Sequence, residues 1–305
     1  MADAELERFK TGINLSEFAA SWGYVLNRRE SSQNSAVMEH PDGDKIVIAR
    51  QEGGAWVYFS VRDDGDHGTV IEFWQKRTGK NLGQARKALR AWSGAARPPV
   101  PVADYVGELF PVERNRAAVL AAWTGAQACV ALPYLSGRGL GPDVLGLPIF
   151  AGCVRVDKRH NALFPHFDRE GLCGFEIKNR DFTGFAAGGT KGLWHSKART
   201  TDRRLVLTES AIDAISFHVL QGDASTRYMS TGGSLNPQQP ALIRGAMEKL
   251  PPGGIVLLAF DNDDGGEKLA QEVRAFAPSG RDVRRILPDT GKDWNEALKA
   301  RLGLT

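Results

Sequence analysis

Residues 254–266 read GIVLLAFDNDDGG: seven apolar or small residues, then three aspartates and two glycines. A short, strongly apolar run that ends in acidic and turn-forming residues is the pattern of a strand buried on both faces. The same pattern lies upstream in residues 204–213, RLVLTESAID, where the short strand RLVL, apolar from Leu205 to Leu207, is followed by Glu209 and Asp213. Working outward, a helix is expected over Ser210–Leu220 and a strand over Arg227–Ser230, which ends in the turn Thr231-Gly232-Gly233. A second helix falls on Pro240–Lys249 and a third on Lys268–Phe276, with a last strand over Asp282–Leu287. Strands alternating with helices of this length imply crossover units and a parallel sheet covered on both faces. The last hundred residues therefore read as α/β, within a chain that is α+β overall.

Parallel sheets collect ligand groups at the carboxyl ends of their strands. Glu209 and the pair Asp261 and Asp263 sit at such ends, and Asp213 lies one helical turn beyond Glu209. Residues two apart on extended backbone point the same way, so Asp261 and Asp263 can share one cation. Several hard carboxylate oxygens suit magnesium or manganese, with water and phosphate completing the shell. The competing reading is local: aspartate and glycine make a turn, and Glu209 and Asp213 cap a helix.

This arrangement, LTESAIDAI, then TGG, then DND after the next long strand, resembles the Toprim domain of DnaG-type primases, topoisomerases and OLD-family nucleases. The resemblance implies a general acid or base at Glu209 and metal ligands at Asp261 and Asp263, with Asp213 an added ligand. Residues 291–298, GKDWNEAL, resemble the segment near the end of primase Toprim domains and place Asp293 near the metal.

Upstream, Tyr134–Leu140 (YLSGRGL) and Leu163–Arg180 (LFPHFDREGLCGFEIKNR) resemble the basic half of a bacterial primase core. Arg138, Lys178, Arg180 and Lys191 then become phosphate-binding residues for nucleotide or DNA. Their chemistry agrees, being cations next to glycines that let backbone approach a phosphate. The alternative for each is ordinary solvated surface. Lys178 and Arg180 alternate, so a single strand face is expected to carry both.

The first hundred residues resemble, in order of elements, the zinc ribbon that precedes a primase core, and GDHGTVIEF resembles its closing segment. Where that family has a CxxC pair this chain has Tyr58 and Val61, and residues 1–98 hold no cysteine. Bound zinc is therefore not expected, since His40 and His67 cannot close a tetrahedral site alone. Trp56, Tyr58, Phe59 and Phe73 are expected to hold this unit by apolar packing. With Arg62, Lys76, Arg77 and Lys80, its aromatics could also line a path for single-stranded DNA. A helix is expected over residues 5–30 and a linker over 93–101, SGAARPPVP.

The expected domains are thus 1–97, ribbon-like; 98–203, basic and primase-core-like; and 204–305, Toprim. Charge follows the same division. Residues 99–204 hold 14 basic and 10 acidic side chains, and residues 205–305 hold 11 and 13. A basic channel beside a carboxylate cluster would give this asymmetry, as would chance. The 305 residues are 42% hydrophobic and 25% charged, as in soluble globular proteins, and no apolar run is long enough for a membrane helix. Three scattered cysteines, Cys129, Cys153 and Cys173, argue against a disulfide framework and for a cytoplasmic location.

The function these features imply is a primase-like, Mg2+- or Mn2+-dependent nucleotidyltransferase acting on single-stranded DNA and nucleoside triphosphates, in replication of a plasmid or mobile element. A replicative helicase or mobilisation protein is the expected partner. The alternatives are a Toprim nuclease and a non-catalytic DNA-binding protein.

Overall fold

The structure is a computed structural model that describes residues 3–51, 53–61, 66–94, 101, 103–110, 113–180 and 182–304. Most of the expected linker, residues 95–100, and Arg62 lie outside the described residues. The chain divides into two compact units, Met1–Glu113 and Arg114–Thr305.

The first unit begins with helices α1 (Ala4–Gly12) and α2 (Leu15–Ala20), where one long helix was expected over 5–30. The break has a local cause. Asn14 is extended and its side chain accepts hydrogen bonds from the N–H groups of Ser16 and Glu17, so it starts a new helix instead of continuing the first. Five strands follow: β1 (Val25–Leu26), β2 (Ser35–Glu39), β3 (Lys45–Arg50), β4 (Trp56–Ser60) and β5 (His67–Gly68). They form an antiparallel sheet in sequence order. Helices α3 (Val70–Thr78) and α4 (Leu82–Gly94) complete the unit. Thr69 and Glu72 form a capping box that fixes the start of α3.

Trp56, Tyr58 and Phe73 are buried as expected, whereas Phe59 is 49% exposed. Strand alternation explains this, because Phe59 points away from the face that Tyr58 buries. Apolar packing is also not the whole account. Arg77 on α3 makes 2.9 Å contacts to both Asp44 and Asp66. It lies over the rings of Phe73, Tyr58 and Tyr24 at 4.1, 5.1 and 5.6 Å. Tyr24 and Tyr58 donate their hydroxyls to Asp44 and Asp66 respectively. Arg77 therefore ties the β2–β3 turn to the segment before β5 and is not a solvated cation open to DNA.

The second unit holds two five-stranded sheets. The first is built from β6 (Gln127–Ala128), β7 (Arg155–Val156), β8 (Ala162–Asp168), β9 (Gly171–Lys178) and β10 (Thr183–Phe185), in the order β10-β9-β8-β7-β6. Helix α5 (Arg116–Thr124) packs against β9, while α6 (Pro133–Ser136) and α7 (Pro142–Leu145) fill the connection between β6 and β7.

The second sheet comprises β11 (Trp194–His195), β12 (Arg204–Thr208), β13 (Thr226–Ser230), β14 (Ile255–Leu258) and β15 (Asp282–Arg285), in the order β11-β13-β12-β14-β15. The last four are parallel, as the apolar runs imply, and β11 adds an antiparallel edge. Residue alternation on the central strands separates two cores. Val206, Tyr228 and Leu257 face α8 (Ala211–Gln221) and α11 (Trp294–Leu302). Leu205, Leu207, Val256 and Leu258 face α9 (Gln239–Glu248) and α10 (Asp264–Ala275). The first of these cores continues through Leu135, Leu140, Phe150 and Phe164, so residues on both sides of the expected 203/204 boundary share it.

Candidate active site

Strand β12 lies between β13 and β14, so the chain crosses from one side of β12 to the other. The resulting crevice at the carboxyl ends of β12 and β14 is a topological switch point, where such sheets bind ligands. Glu209 leaves β12 there and Asp261 follows β14. The N–H of Asp261 reaches Glu209 Oε1 at 3.4 Å. The turn after β13 closes onto the same place, with the N–H groups of Gly232 and Gly233 donating to the Glu209 carbonyl at 2.8 and 3.1 Å. Gly232 has φ +66°, and a Cβ there would lie 2.8 Å from the His166 ring. Gly266 packs onto Asp261 so closely that a Cβ would lie 2.0 Å from its carbonyl oxygen. Both glycines are needed for the backbone to fold in this tightly.

The local reading of these carboxylates holds in part. Asp263 caps α10 through Gly266 N at 2.8 Å, and Asp293 caps α11 through Glu296 N at 2.7 Å. For α8, however, Ser210 is the cap, accepting from Asp213 N at 3.1 Å, which leaves Glu209 free of that duty. Asp213 is buried and takes the Ser210 hydroxyl and the N–H of Asn295.

Burial and mutual repulsion disturb the group. Burial is the main cause that pushes the Asp261 carboxyl up to about 8; Glu209, Asp213 and Asp293 add to it and Lys292 opposes it. Burial likewise raises Glu209, with Asp263 and Asp213 contributing. Asp213 is raised by burial and by Asp293. Asp263 alone is lowered, chiefly by the Lys292 ammonium and the Gly266 N–H. Asp261 Oδ1 is buried with no hydrogen-bond partner. An orphaned carboxylate oxygen at a strand end, beside Glu209 and Asp263, fits a hard cation that supplies the missing partner. Among the described residues no three His, Cys, Asp or Glu side chains close into a cage. That is compatible with magnesium, which one or two carboxylates hold while water and phosphate complete the shell.

The basic residues separate into two groups. Lys178 ends β9 and pairs with Glu176 at 2.7 Å. Glu176 also meets the fully buried His166 at 3.1 Å. Burial would raise Glu176, but Lys178 and His166 outweigh it and bring it down to about 2. Lys191 donates to the carbonyls of Gly232 and Ser234 and so braces the turn against Glu209. Because β9 stops at Lys178, the expected shared strand face does not form, and Arg180 lies beyond it. Arg180 instead lines a cleft of about 810 Å3 with Arg138, Arg159, Lys299, Tyr134 and Phe182. Arg138 stacks 5.0 Å over Tyr134 and bonds Asn295 Oδ1 at 3.0 Å. The backbone N–H of Asn295 donates to Asp213 Oδ1 at 3.1 Å while its side-chain amide holds Arg138, so one buried residue joins the basic cleft to the acidic crevice.

Lys292, Asn295, Arg159, Phe182 and Lys299 were not singled out as site residues from sequence. Only the segment GKDWNEAL carried a signal for the first two, through its resemblance to primase Toprim domains.

A family model described as Toprim-like, Toprim_2, matches residues 206–298. Residues 206–298 are a Toprim domain. All five expected acidic residues fall within it. A second family model, described as a protein of unknown function, DUF3991, matches residues 133–202, where Arg138, Lys178, Arg180 and Lys191 lie. No curated protein matches the sequence. Among solved structures, the primase fragment of the bacteriophage T7 primase-helicase protein is 18% identical, covering 70% of this chain and 80% of that one with a TM-score of 0.46. The RNA polymerase domain of Mycobacterium tuberculosis primase DnaG is 14% identical, covering 55% and 61% with a TM-score of 0.30. No helix among the described residues is long and apolar enough to cross a membrane.

Proposed function

We propose that this Toprim protein is a divalent-metal-dependent nucleotidyltransferase of primase type, acting on single-stranded DNA and nucleoside triphosphates. The observation that carries the reading is Asp261, whose Oδ1 is buried and unpartnered at the switch point beside Glu209. Asp261 and Asp263 would hold the cation, which when bound supplies charge neutralisation at a phosphate. Glu209, raised by burial, is suited to take or return a proton at the attacking hydroxyl. Asp213 and Asp293 deepen the negative potential around Asp261.

The cleft of Arg138, Arg159, Arg180 and Lys299 supports a phosphate-bearing substrate, and the rings of Tyr134 and Phe182 favour unpaired bases. Lys178 and Lys191 act as positioning cations in this reading: one neutralises Glu176, the other fixes the Gly232 turn. A nuclease would need no triphosphate site.

The test is incubation of the full chain with single-stranded DNA, labelled nucleoside triphosphates and manganese. Metal-dependent extension to longer oligonucleotides is expected. Shortened DNA would replace this reading with a nuclease, and unchanged DNA with bound strand would replace it with a binding protein.

A further inference from the structure

Among the described residues, Lys292 is the one cation drawn across both aspartates of the DND segment. Its Nζ lies 2.8 Å from Asp263 Oδ2 and 3.8 Å from Asp261 Oδ2, while the side chain stays 55% exposed. The backbone around it is built to put it there. Gly291 turns with φ +79°, and a Cβ at that position would lie 2.8 Å from the Glu296 side chain. Lys292 N donates to Glu296 Oε2 at 2.7 Å, and its carbonyl accepts from Asn262 N, also at 2.7 Å. The residue between the two aspartates is thus bonded to the main chain of the lysine that spans them. Asp293, next along, caps α11 and anchors the tether from the other side.

Two carboxylates held two residues apart repel one another, and a nearby ammonium offsets that cost. A divalent cation does the same with twice the charge and inner-shell bonds. Both cannot occupy the space between Asp261 Oδ2 and Asp263 Oδ2 at full effect. Four methylenes and an exposed position let Lys292 swing outward without breaking its main-chain bonds.

We propose that Lys292 is a resident counter-cation that holds Asp261 and Asp263 in place before metal arrives and is displaced by it. It is a positioning residue in this role. The consequence is a lowered affinity for free metal, so that a cation already carrying substrate phosphates is favoured over the bare ion. The inference rests on the metal reading of the site.

The experiment is a manganese titration by calorimetry on the full chain, without substrate, for the native protein, Lys292→Met, Lys292→Arg and Asp263→Asn, with a thermal melt of each. Lys292→Met should bind manganese about threefold or more tightly, the size of losing one exposed ion pair. Its metal-free Tm should fall, and its manganese-induced rise in Tm should exceed that of the native protein. Lys292→Arg should behave like the native protein. Unchanged or weaker manganese binding by Lys292→Met overturns the proposal. Asp263→Asn separates the two layers: if it leaves manganese affinity unchanged, the metal site itself is misassigned. If it weakens binding while Lys292→Met fails to tighten it, only the role of Lys292 falls.

Discussion

At the scale of single residues, Asp261 is the most heavily perturbed group at the site, and the perturbation has a measurable sign. Its carboxyl is raised from the ordinary aspartate value to about 8, so the folded protein holds the proton more tightly than the unfolded chain does. Stability from this source is complete below about pH 4 and is lost as pH rises toward 8, at no more than about 1.4 kcal/mol per pH unit. The opposite carboxylate, Glu176 at about 2, loses its contribution only on acidification below the ordinary glutamate range. His195 and His218 are lowered by burial and work against Asp261 near pH 6 to 7. The difference between native protein and Asp261→Asn isolates the carboxyl. In metal-free buffer the native protein should lose stability relative to Asp261→Asn between pH 5 and 8, and manganese should restore it. Parallel melting profiles for the two proteins across that range would show that Asp261 is not raised. Glu209, Asp261 and Asp263 were legible in the sequence because they follow apolar strands, a position that backbone geometry makes a ligand site, whereas Asp293 came only through the resemblance of its segment. Asn295 and Lys292 were not, since their relevance depends on which residues α11 and its preceding turn come to face.

At the scale of elements, α3 shows how the first unit is fastened. Arg77 places one guanidinium against two carboxylates and three rings, linking α3 to the β2–β3 turn and the approach to β5. The sequence expectation placed Phe59 in the packed core and grouped Arg77 with cations open to DNA. Neither error is visible to a hydrophobicity pattern. Which face of β4 turns inward is set by its pairing with β3, and a buried arginine is tolerated only where acidic partners arrive from distant elements. The long expected helix over 5–30 failed for a related reason, because the Asn14 cap competes with helix continuation. Arg77→Met removes the guanidinium between Asp44 and Asp66, leaving Asp66 only the Lys76 ammonium at 3.7 Å, and should cost about 3 kcal/mol. Hydrogen exchange at the amides of β3 and β4 should quicken in this variant, whereas a chelator should leave the native pattern unchanged. Protection that survives Arg77→Met but collapses on chelation would identify a metal as the true fastener.

At the scale of the whole second unit, residues 114–204, with 14 basic and 7 acidic side chains, and residues 205–305, with 11 and 13, meet across one hydrophobic core, joined by Arg138–Asn295–Asp213. In the proposed function, substrate binding and chemistry fall on two neighbouring surfaces, and substitutions should divide the same way. Arg159 and Arg180 line the cleft from exposed positions, so Arg159→Ala and Arg180→Ala should weaken single-strand binding without unfolding the protein. Each lost phosphate contact should flatten the dependence of log affinity on log salt by about 0.7. Glu209→Gln should keep or improve binding, because a carboxylate that repels phosphate is neutralised, yet lose turnover by at least ~100-fold. Measured side by side, the first pair shifts affinity with salt and the third variant shifts rate at saturating strand. If Glu209→Gln instead weakens binding with the same altered salt slope, the acidic crevice and basic cleft do not act as separate surfaces. The carboxylate would then be organising the cleft, with Asn295 as the route, and the proton-transfer role would have to move to another group.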